Sequence, residues 1–508
     1  MISTVKSAAC LGIHAYPVQI EVDVASGLPQ FIVVGLPDLS VKESRERVRS
    51  AIKNSGFPFP VDKITINLAP ADIKKEGAAF DLPMALGILA AQGIIPAEKM
   101  QPHTFLGELA LDGSLRPFKG AIVIASSLKT DSQSLVLPLE NAEETSLEKN
   151  VSVYPAQNLQ EVVQFLNGEK TISPVTHEAV IHSKLSGQDS VDFAEVKGQP
   201  FAKRAIEIAV AGGHNLLLIG PPGSGKSMLS RRIPTILPPL AFEEALEITK
   251  IYSVAGLING QNLICQRPFR APHHSISAVG LAGGGSCPKP GEISLAHRGV
   301  LFLDEFPEFR RDVLESLRSP IEEGEITISR SRFQITYPSC FLLVAAMNPC
   351  MCGYLSDPRK SCRCSLGQIQ RYQSKVSGPI LDRIDLHVEV PALSFQALTS
   401  DLPEESSEDI RNRIIQCRGR QNERGQGRPF KVNALMRAKD IREFAMPDPE
   451  GRKMIEMAMK ELRLSARAYY KILKIARTIA DLAGEETLSS EHIAEAIQYR
   501  SLDRQWWR

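Results

Sequence analysis

Hydrophobic and polar positions in the first third of the chain follow two periods. Strand-like runs of apolar and β-branched residues stand at residues 19–24, 31–34 and 64–68. Apolar residues at helical spacing predict helices at residues 40–54 and 82–92. The pattern therefore predicts a mixed α/β domain, to which we assign residues 1–168.

The pattern changes twice after this region. Residues 169–190 are polar with few large apolar side chains, which predicts a linker. Residues 191–392 combine buried-strand runs with helical stretches, a pattern typical of an α/β domain with a parallel sheet. Residues 393–508 are mainly of helical period. We therefore expect a multidomain α/β protein with a helical C-terminal domain.

Composition and charge limit the class of protein. With 43% hydrophobic and 23% charged residues, the 508-residue chain has the composition of an ordinary globular protein. Because the net charge is only +1, any nucleic-acid contact must come from local basic patches. No apolar stretch reaches eighteen residues, and the first residues lack the basic and apolar regions of a secretory signal. We expect a cytoplasmic protein without a membrane span.

A glycine-rich loop with the sequence Gly-Pro-Pro-Gly-Ser-Gly-Lys-Ser follows the apolar run 216–219 and precedes a helical stretch. This context predicts a phosphate-binding loop, because backbone N–H groups and a helix N-terminus then face the anion. Lys226 is expected to reach the β- and γ-phosphates, and Ser227 to hold Mg²⁺. ATP and Mg²⁺ are therefore the predicted cofactors. The predicted nucleotide contacts are Gly220, Pro221, Pro222, Gly223, Ser224, Gly225, Lys226 and Ser227.

A second apolar run, residues 300–303, ends in Asp304 and Glu305. Open α/β sheets bind ligands at the carboxyl ends of their strands, so we expect both carboxylates beside the loop. Asp304 is expected to hold Mg²⁺ through water, and Glu305 to activate the attacking water. The second carboxylate favours hydrolysis of the nucleotide over binding alone.

A β-hairpin is predicted between a helical pattern at residues 311–322 and a strand at residues 341–347. Its tip carries Arg330-Ser331-Arg332. This hairpin and the long gap between the two nucleotide motifs resemble the helix-2-insert group of AAA+ ATPases. In related ring motors the hairpin projects into a central pore, which implies that Arg330 and Arg332 contact a DNA backbone.

A second basic segment, residues 411–437, carries eight Lys and Arg residues and one acid. It predicts either a solvated structural face or a segment that contacts phosphate. The sequence leaves both interpretations open.

Three further positions resemble AAA+ site residues. Asn348, after the strand at residues 341–347, resembles the sensor-1 residue that helps to orient the attacking water. Arg383 lies in Leu-Asp-Arg-Ile-Asp, which resembles an arginine-finger motif acting on a neighbouring subunit's nucleotide. Arg467 resembles the sensor-2 arginine that folds a helical lid onto the nucleotide. A salt bridge within the chain is the alternative for Arg383, and a surface role is the alternative for Arg467. A finger acting between subunits implies a homo-oligomer, expected to be a hexameric ring.

Two Cys-x-Cys pairs follow Asn348. The cysteines Cys350, Cys352, Cys362 and Cys364 supply four thiolates, which suit a tetrahedral Zn²⁺ site. Two loop disulfides or free thiols are the alternatives. The odd total of nine cysteines favours a reducing compartment over a disulfide framework.

The cysteine insertion and the N-terminal domain together resemble the competence-protein branch of the magnesium chelatase-like AAA+ family, over nearly the whole chain. Residues 64–125 resemble the Lon protease fold, which is related to a ribosomal S5-type domain. Ala79 stands at the position of the Lon serine nucleophile, and the lysine base position falls near Ile122. Because alanine has no group to activate, we expect an inactive protease domain that serves as a platform for DNA or a partner.

The resemblance implies a DNA motor. We expect an ATP-dependent hexameric helicase that promotes branch migration on single-stranded and branched DNA, in homologous recombination and natural transformation, alongside recombination proteins. A chelatase-type remodelling ATPase subunit is one alternative. A regulator or chaperone that uses ATP to hold a protein partner is another.

Overall fold

A computed structural model describes residues 1–71, 75, 77–128, 134–175, 191–258, 263–285, 288–330, 333–355, 357, 359–393, 403–428, 430–462 and 464–500. The chain forms two compact units. The first consists of Met1–Ser186 together with Phe242–Cys265, and the second of Gly187–Ala241 together with Gln266–Arg508. In the described ranges, no helix is both long and apolar enough to cross a membrane.

Strands occur in both units, whereas the elements of the described chain after β18 are helices. The strands are β1 (Ile2–Leu11), β2 (His14–Ala25), β3 (Gln30–Val34), β4 (Lys63–Ala69), β5 (His103–Phe105), β6 (Glu108–Leu109), β7 (Leu115–Arg116), β8 (Ser134–Pro138), β9 (Ser152–Ala156), β10 (Leu216–Ile219), β11 (Phe269–Arg270), β12 (Gly283–Gly284), β13 (Lys289–Pro290), β14 (Val300–Leu303), β15 (Glu325–Arg330), β16 (Phe333–Pro338), β17 (Leu342–Met347) and β18 (Leu386–Glu389).

The helices are α1 (Leu39–Asn54), α2 (Asp81–Ala91), α3 (Ala97–Met100), α4 (Ala121–Ser127), α5 (Leu139–Thr145), α6 (Leu159–Asn167), α7 (Pro200–Gly212), α8 (Lys226–Ile236), α9 (Phe242–Ala255), α10 (Ala278–Ala282), α11 (Glu292–Leu295), α12 (Arg311–Glu315), α13 (Arg318–Glu323), α14 (Leu366–Gln373), α15 (Gly378–Leu381), α16 (Ser407–Arg424), α17 (Ala438–Phe444), α18 (Pro449–Leu462), α19 (Ala466–Ala483) and α20 (Ser490–Gln498). Short 3₁₀ turns stand at Phe193–Glu195, Phe306–Glu308 and Asn433–Leu435.

The first unit is built on a four-stranded sheet with the order β1-β2-β4-β3. Alternate side chains of β2 and β4, such as Ile20 and Ile66, are buried on one face of this sheet. Helix α2, which is buried at all but one of its residues, packs into the same core. The strands and helices predicted between residues 19 and 92 are confirmed.

Helix α9 belongs to the first unit, although it follows the glycine-rich loop in the sequence. The Ser253 hydroxyl donates to Glu144 Oε2 at 2.9 Å and accepts from the Gly120 N–H at 3.1 Å. Leu246 of the same helix packs with Ile122. Burial raises the pKa of the Glu144 carboxyl. A stretch that the sequence pattern places in the ATPase core thus completes the first unit.

The second unit is built on a five-stranded parallel sheet with the order β11-β14-β17-β10-β18. Strands β10, β14 and β17 are buried at every residue, which explains why their sequences are continuous apolar runs. Because the strands are parallel, all their carboxyl ends lie at one edge of the sheet. The segments that follow these strands therefore meet there.

The helical pattern predicted at residues 311–322 forms two short helices, α12 and α13, rather than a single one. Pro320 has no N–H to donate to the Ser316 carbonyl, which weakens a helix that runs through it, whereas proline is tolerated in the first turn of a new helix. The hairpin that follows, β15 and β16, confirms the prediction. Ile326 and Tyr337 of the hairpin are buried and anchor it to the unit.

Arginines of the basic segment 411–437 form ion pairs within the second unit. Three of its arginines pair with carboxylates of the same unit: Arg413 with Glu207 and Glu405, Arg424 with Asp481, and Arg428 with Asp440 and Glu443. These ion pairs favour the structural interpretation of the segment.

Candidate nucleotide site and cysteine cluster

The loop 220–227 connects β10 to α8 at the carboxyl edge of the parallel sheet. Gly223 and Gly225 have φ angles of +76° and +92°, a region that glycine adopts without strain. A Cβ atom on Gly220 would lie 2.1 Å from the Val390 carbonyl oxygen. The path of the loop therefore requires these glycines.

The Lys226 ammonium is buried among oxygen atoms. Its Nζ donates to the carbonyls of Gly220 at 2.7 Å and Pro221 at 3.0 Å, and to Asn348 Oδ1 at 3.3 Å. Burial lowers the pKa of Lys226 to about 8, although the charge of Asp304 opposes this shift. Lys226, which follows β10 and its loop, is thus in contact with Asn348, which follows the adjacent strand β17.

The Ser227 hydroxyl donates to Asp304 Oδ2 at 2.6 Å. The other carboxylate oxygen of Asp304 accepts the Glu305 N–H at 2.9 Å. A hydroxyl and a carboxylate side by side are oxygen ligands of the kind that Mg²⁺ prefers. The two predicted magnesium ligands therefore lie together and fit the ion.

Glu305 pairs with a residue that the sequence did not single out. His274 Nδ1 lies 3.0 Å from Glu305 Oε2. His274 follows β11, which pairs with β14, so both residues leave neighbouring strands at the same edge. The Arg-Ala-Pro-His-His-Ser segment at residues 270–275 was visible in the sequence, but its spacing does not identify a partner.

The predicted finger and sensor-2 arginines converge on one carboxylate. Arg383 Nη2 lies 2.9 Å from Glu322 Oε1, and Arg467 Nη2 lies 3.6 Å from the same oxygen. Arg383 also donates to the Pro379 carbonyl at 2.7 Å. These contacts are the salt bridge within the chain that was the alternative for Arg383. Action on a neighbouring subunit, and the sensor-2 role of Arg467, stay predictions.

One of the two predicted DNA contacts, Arg330, lies in the part of the hairpin that the structure describes. Arg330 is the last residue of β15 and pairs with Phe333 of β16. Arg332 lies outside the described residues. The DNA contact therefore stays a prediction.

The four predicted cysteines form one cluster, with all four Sγ atoms within 4.8 Å of one another. Cys350 Sγ lies 3.3 Å from Cys352 Sγ and 3.6 Å from Cys362 Sγ. A disulfide would need about 2.05 Å, whereas a tetrahedron with Zn–S bonds of about 2.3 Å has sulfur–sulfur edges of about 3.8 Å. The spacing fits a single metal ion rather than two disulfides.

Backbone N–H groups support the ionised sulfur in this cluster. The N–H groups of Tyr354 and Arg363 contribute to lowering the pKa of Cys352 to about 6, while burial raises the pKa of Cys350 to about 12. Cys352 is therefore the first of these two thiols to ionise, and a thiolate is the form that binds Zn²⁺.

Comparison with known proteins identifies the family. Models described as subunit ChlI of Mg-chelatase, magnesium chelatase subunit ChlI, and the C-terminal part of that subunit match residues 20–141, 192–398 and 404–500. The chain is 46% identical to the competence protein ComM of Haemophilus influenzae, across 99% of this chain and 98% of that protein. The chain belongs to the ComM/YifB group of the magnesium chelatase-like family.

Other relatives show how far the likeness extends. The chain is 45% identical to YifB of Escherichia coli, across 99% of this chain and 98% of that protein. It is 20% identical to the magnesium-chelatase subunit ChlI of Euglena gracilis, across 43% of this chain and 63% of that protein. The family implies an AAA+ ATPase that uses ATP and Mg²⁺, with a parallel sheet and a helical C-terminal domain. These points of the sequence analysis are confirmed.

Proposed function

We propose that the protein is an ATP-driven DNA motor that promotes branch migration in homologous recombination during natural transformation. The observation that carries the ATPase part is the convergence of Lys226, Ser227, Asp304 and Asn348 at one edge of a parallel sheet. The DNA part is supported by likeness across nearly the full length to a relative named as a competence protein.

Each residue of the site has a defined task in this proposal. Lys226 exchanges its bonds to the loop carbonyls for bonds to phosphate oxygens, and Asn348 helps to orient the attacking water. Ser227 and Asp304 would hold Mg²⁺, which neutralises phosphate charge. Glu305 accepts the proton of the attacking water.

The motor is proposed to be a hexameric ring. In such a ring, Arg383 would stabilise charge on the nucleotide of the neighbouring subunit, and Arg467 would fold the helical part towards the nucleotide. The hairpin with Arg330 and Arg332 would contact the backbone of a DNA strand in the pore.

Two further parts of the chain have proposed roles. The cysteine cluster would hold Zn²⁺, in keeping with its sulfur–sulfur distances. The first unit would be an inactive Lon-like platform for DNA or for recombination partners. Neither Ala79 nor Ile122 can act as a nucleophile or a base.

A chelatase-type remodelling subunit is the second candidate, because the matching family models carry that description. The likeness to the Euglena subunit covers only 43% of the chain, however, whereas the ComM relative covers 99% of it. The greater coverage by the ComM relative favours the DNA motor over the chelatase subunit.

Branch migration on three- and four-way DNA junctions tests the proposal. With ATP the wild type should displace the labelled strand, whereas Lys226→Ala and Glu305→Gln should not. Glu308→Gln is the matched control, since this nearby carboxylate pairs with Lys375 at 2.8 Å instead of facing the loop. If DNA leaves the ATPase rate unchanged and no strand is displaced, the protein is not a DNA motor of this kind. Strand displacement by Glu305→Gln would show that another group activates the water.

A further inference from the structure

The turn that carries Cys350 and Cys352 packs against the phosphate-binding loop through Gly353. Gly353 follows Cys352, and a Cβ atom built on it would lie 2.6 Å from Pro222 Cδ and 2.7 Å from Pro222 Cγ. The φ angle of Gly353 is +85°. Only glycine combines this backbone conformation with so close an approach. The turn that carries the thiols therefore packs against the loop that is proposed to hold the phosphates.

A second connection runs along the chain. One residue, Pro349, separates Asn348 from Cys350. The Cys350 side chain is buried, and the backbone carbonyl of Cys350 accepts the Gly353 N–H at 3.0 Å. Asn348 Oδ1 lies 3.3 Å from Lys226 Nζ. The same turn thus positions both the contact to Pro222 and the amide beside Lys226.

Apolar burial contributes little to holding this turn in place. Met351 and Leu355, two of its large apolar residues, are 66% and 43% exposed. Small segments that bury little apolar surface commonly depend on a metal for their structure. The convergence of four sulfur atoms can supply this constraint.

We propose that a divalent metal ion held by the four cysteines braces the phosphate-binding loop, so that nucleotide affinity depends on metal occupancy. This inference rests on the proposed metal and nucleotide sites. Without the metal, the turn moves away from Pro222, and Asn348 loses its fixed place beside Lys226. The dissociation constant for nucleotide then rises at least about tenfold.

The experiment measures metal content and nucleotide affinity on the full-length protein, independently of hydrolysis. Zinc is counted by mass spectrometry, and affinity is measured by titration with a fluorescent ADP analogue. Cys362→Ser should lose the metal and bind the analogue at least about tenfold more weakly. Cys265→Ser, which removes an exposed thiol outside the cluster, should change neither quantity.

Gly353→Ala separates the contact from the metal. This variant should keep its zinc, since no ligand changes, yet bind the analogue at least about tenfold more weakly. Gly427→Ala is the matched control, because Gly427 also has a positive φ, +74°, but a Cβ there would meet nothing within 4 Å. Pro222→Ala removes the two ring atoms that the new methyl group meets. The double variant Gly353→Ala/Pro222→Ala should therefore bind about as well as Pro222→Ala alone.

The outcomes distinguish this inference from the proposed function. If Cys362→Ser and Gly353→Ala bind the analogue like the wild type while Lys226→Ala does not, the brace is wrong and the nucleotide site stands. If the wild type holds no zinc even after incubation with it, both the brace and the proposed zinc site are wrong. Should Cys362→Ser fail to fold, as judged by circular dichroism, the affinity of the wild type is measured before and after a chelator removes its zinc, and an unchanged affinity overturns the brace.

Discussion

His274 Nδ1 lies 3.0 Å from Glu305 Oε2, and the two side chains are 34% and 58% exposed. The His274 ring also contacts the tilted ring of His273, with ring centroids 4.0 Å apart, and meets Phe309 edge-on. An exposed glutamate without a partner would sample several rotamers. The imidazole therefore restricts the carboxylate that is proposed to activate water.

His274→Ala should lower the kcat of ATP hydrolysis by about tenfold and leave the KM for ATP unchanged, because the imidazole positions Glu305 and not the nucleotide loop. Steady-state kinetics measure both constants. His274→Gln retains an N–H donor and should recover most of the rate. A kcat that rises in His274→Ala would show instead that the imidazole holds Glu305 away from water.

Ser227→Ala should raise the Mg²⁺ concentration needed for half-maximal ATPase activity by about tenfold, because one oxygen ligand is lost. A magnesium titration at saturating ATP measures this value. Ser230→Ala is the control, since Ser230 lies one turn further along α8 and its hydroxyl donates to the Lys226 carbonyl. An unchanged magnesium requirement would remove Ser227 from the metal site.

Nucleotide affinity should fall as the pH rises above about 8. The pKa of Lys226 is lowered to about 8 by burial, so the cation that binds phosphate is lost above that pH. Each further pH unit should cost up to about tenfold in affinity. Titration with a fluorescent ADP analogue between pH 7 and 10 measures the slope. Lys226→Arg binds with a charge that does not titrate in this range, so its slope should be flat.

Mixing two inactive variants tests whether Arg383 acts between subunits. Arg383→Ala keeps an intact nucleotide loop, whereas Lys226→Ala keeps an intact finger. In randomly mixed rings about a quarter of the interfaces combine both intact parts, so about that fraction of ATPase activity should return. No recovery after subunit exchange would mean that Arg383 acts within its own chain, through its ion pair with Glu322.

Asp385→Asn should lower the free energy of unfolding of the second unit by about 3 kcal/mol, because the largely buried ammonium of Lys471 loses its charged partner. Asp385 accepts the Asn215 N–H at 3.0 Å and pairs with Lys471 at 2.9 Å. Urea denaturation at pH 7 measures the loss. Asp382→Asn, three residues earlier and partly exposed, is the control and should cost less than about 1 kcal/mol.

The Asp385 carboxylate should also make the stability of the second unit sensitive to acid. Burial alone would raise the pKa of Asp385, but the charges of Lys471 and His214 hold it well below its ordinary value. Because the pKa is lower in the folded state, the ion pair stabilises the unit above about pH 4 and the stabilisation is lost as the pH falls below that. Asp385→Asn should lack this part of the pH dependence. An equal acid response in both proteins would contradict the prediction.

Much of the site could be predicted because its residues belong to short, contiguous patterns. The glycine-rich loop, Asp304 and Asn348 each follow an apolar run that becomes a buried strand, and parallel strands bring their carboxyl ends together. The position of Pro320 is also a local signal that disfavours a single helix over residues 311–322. Local chemistry was sufficient for these features.

The phosphate-binding loop, the two carboxylates after β14, the four cysteines and the helical C-terminal part could be predicted from the sequence alone. In contrast, the packing of α9 into the first unit and the pairing of His274 with Glu305 are seen only in the three-dimensional structure. It alone also showed that Glu322 joins two arginines and that Gly353 lies on Pro222. This is because periodicity and spacing specify the secondary structure of a single segment. Which distant segment it meets depends on strand order and packing, which local patterns do not specify.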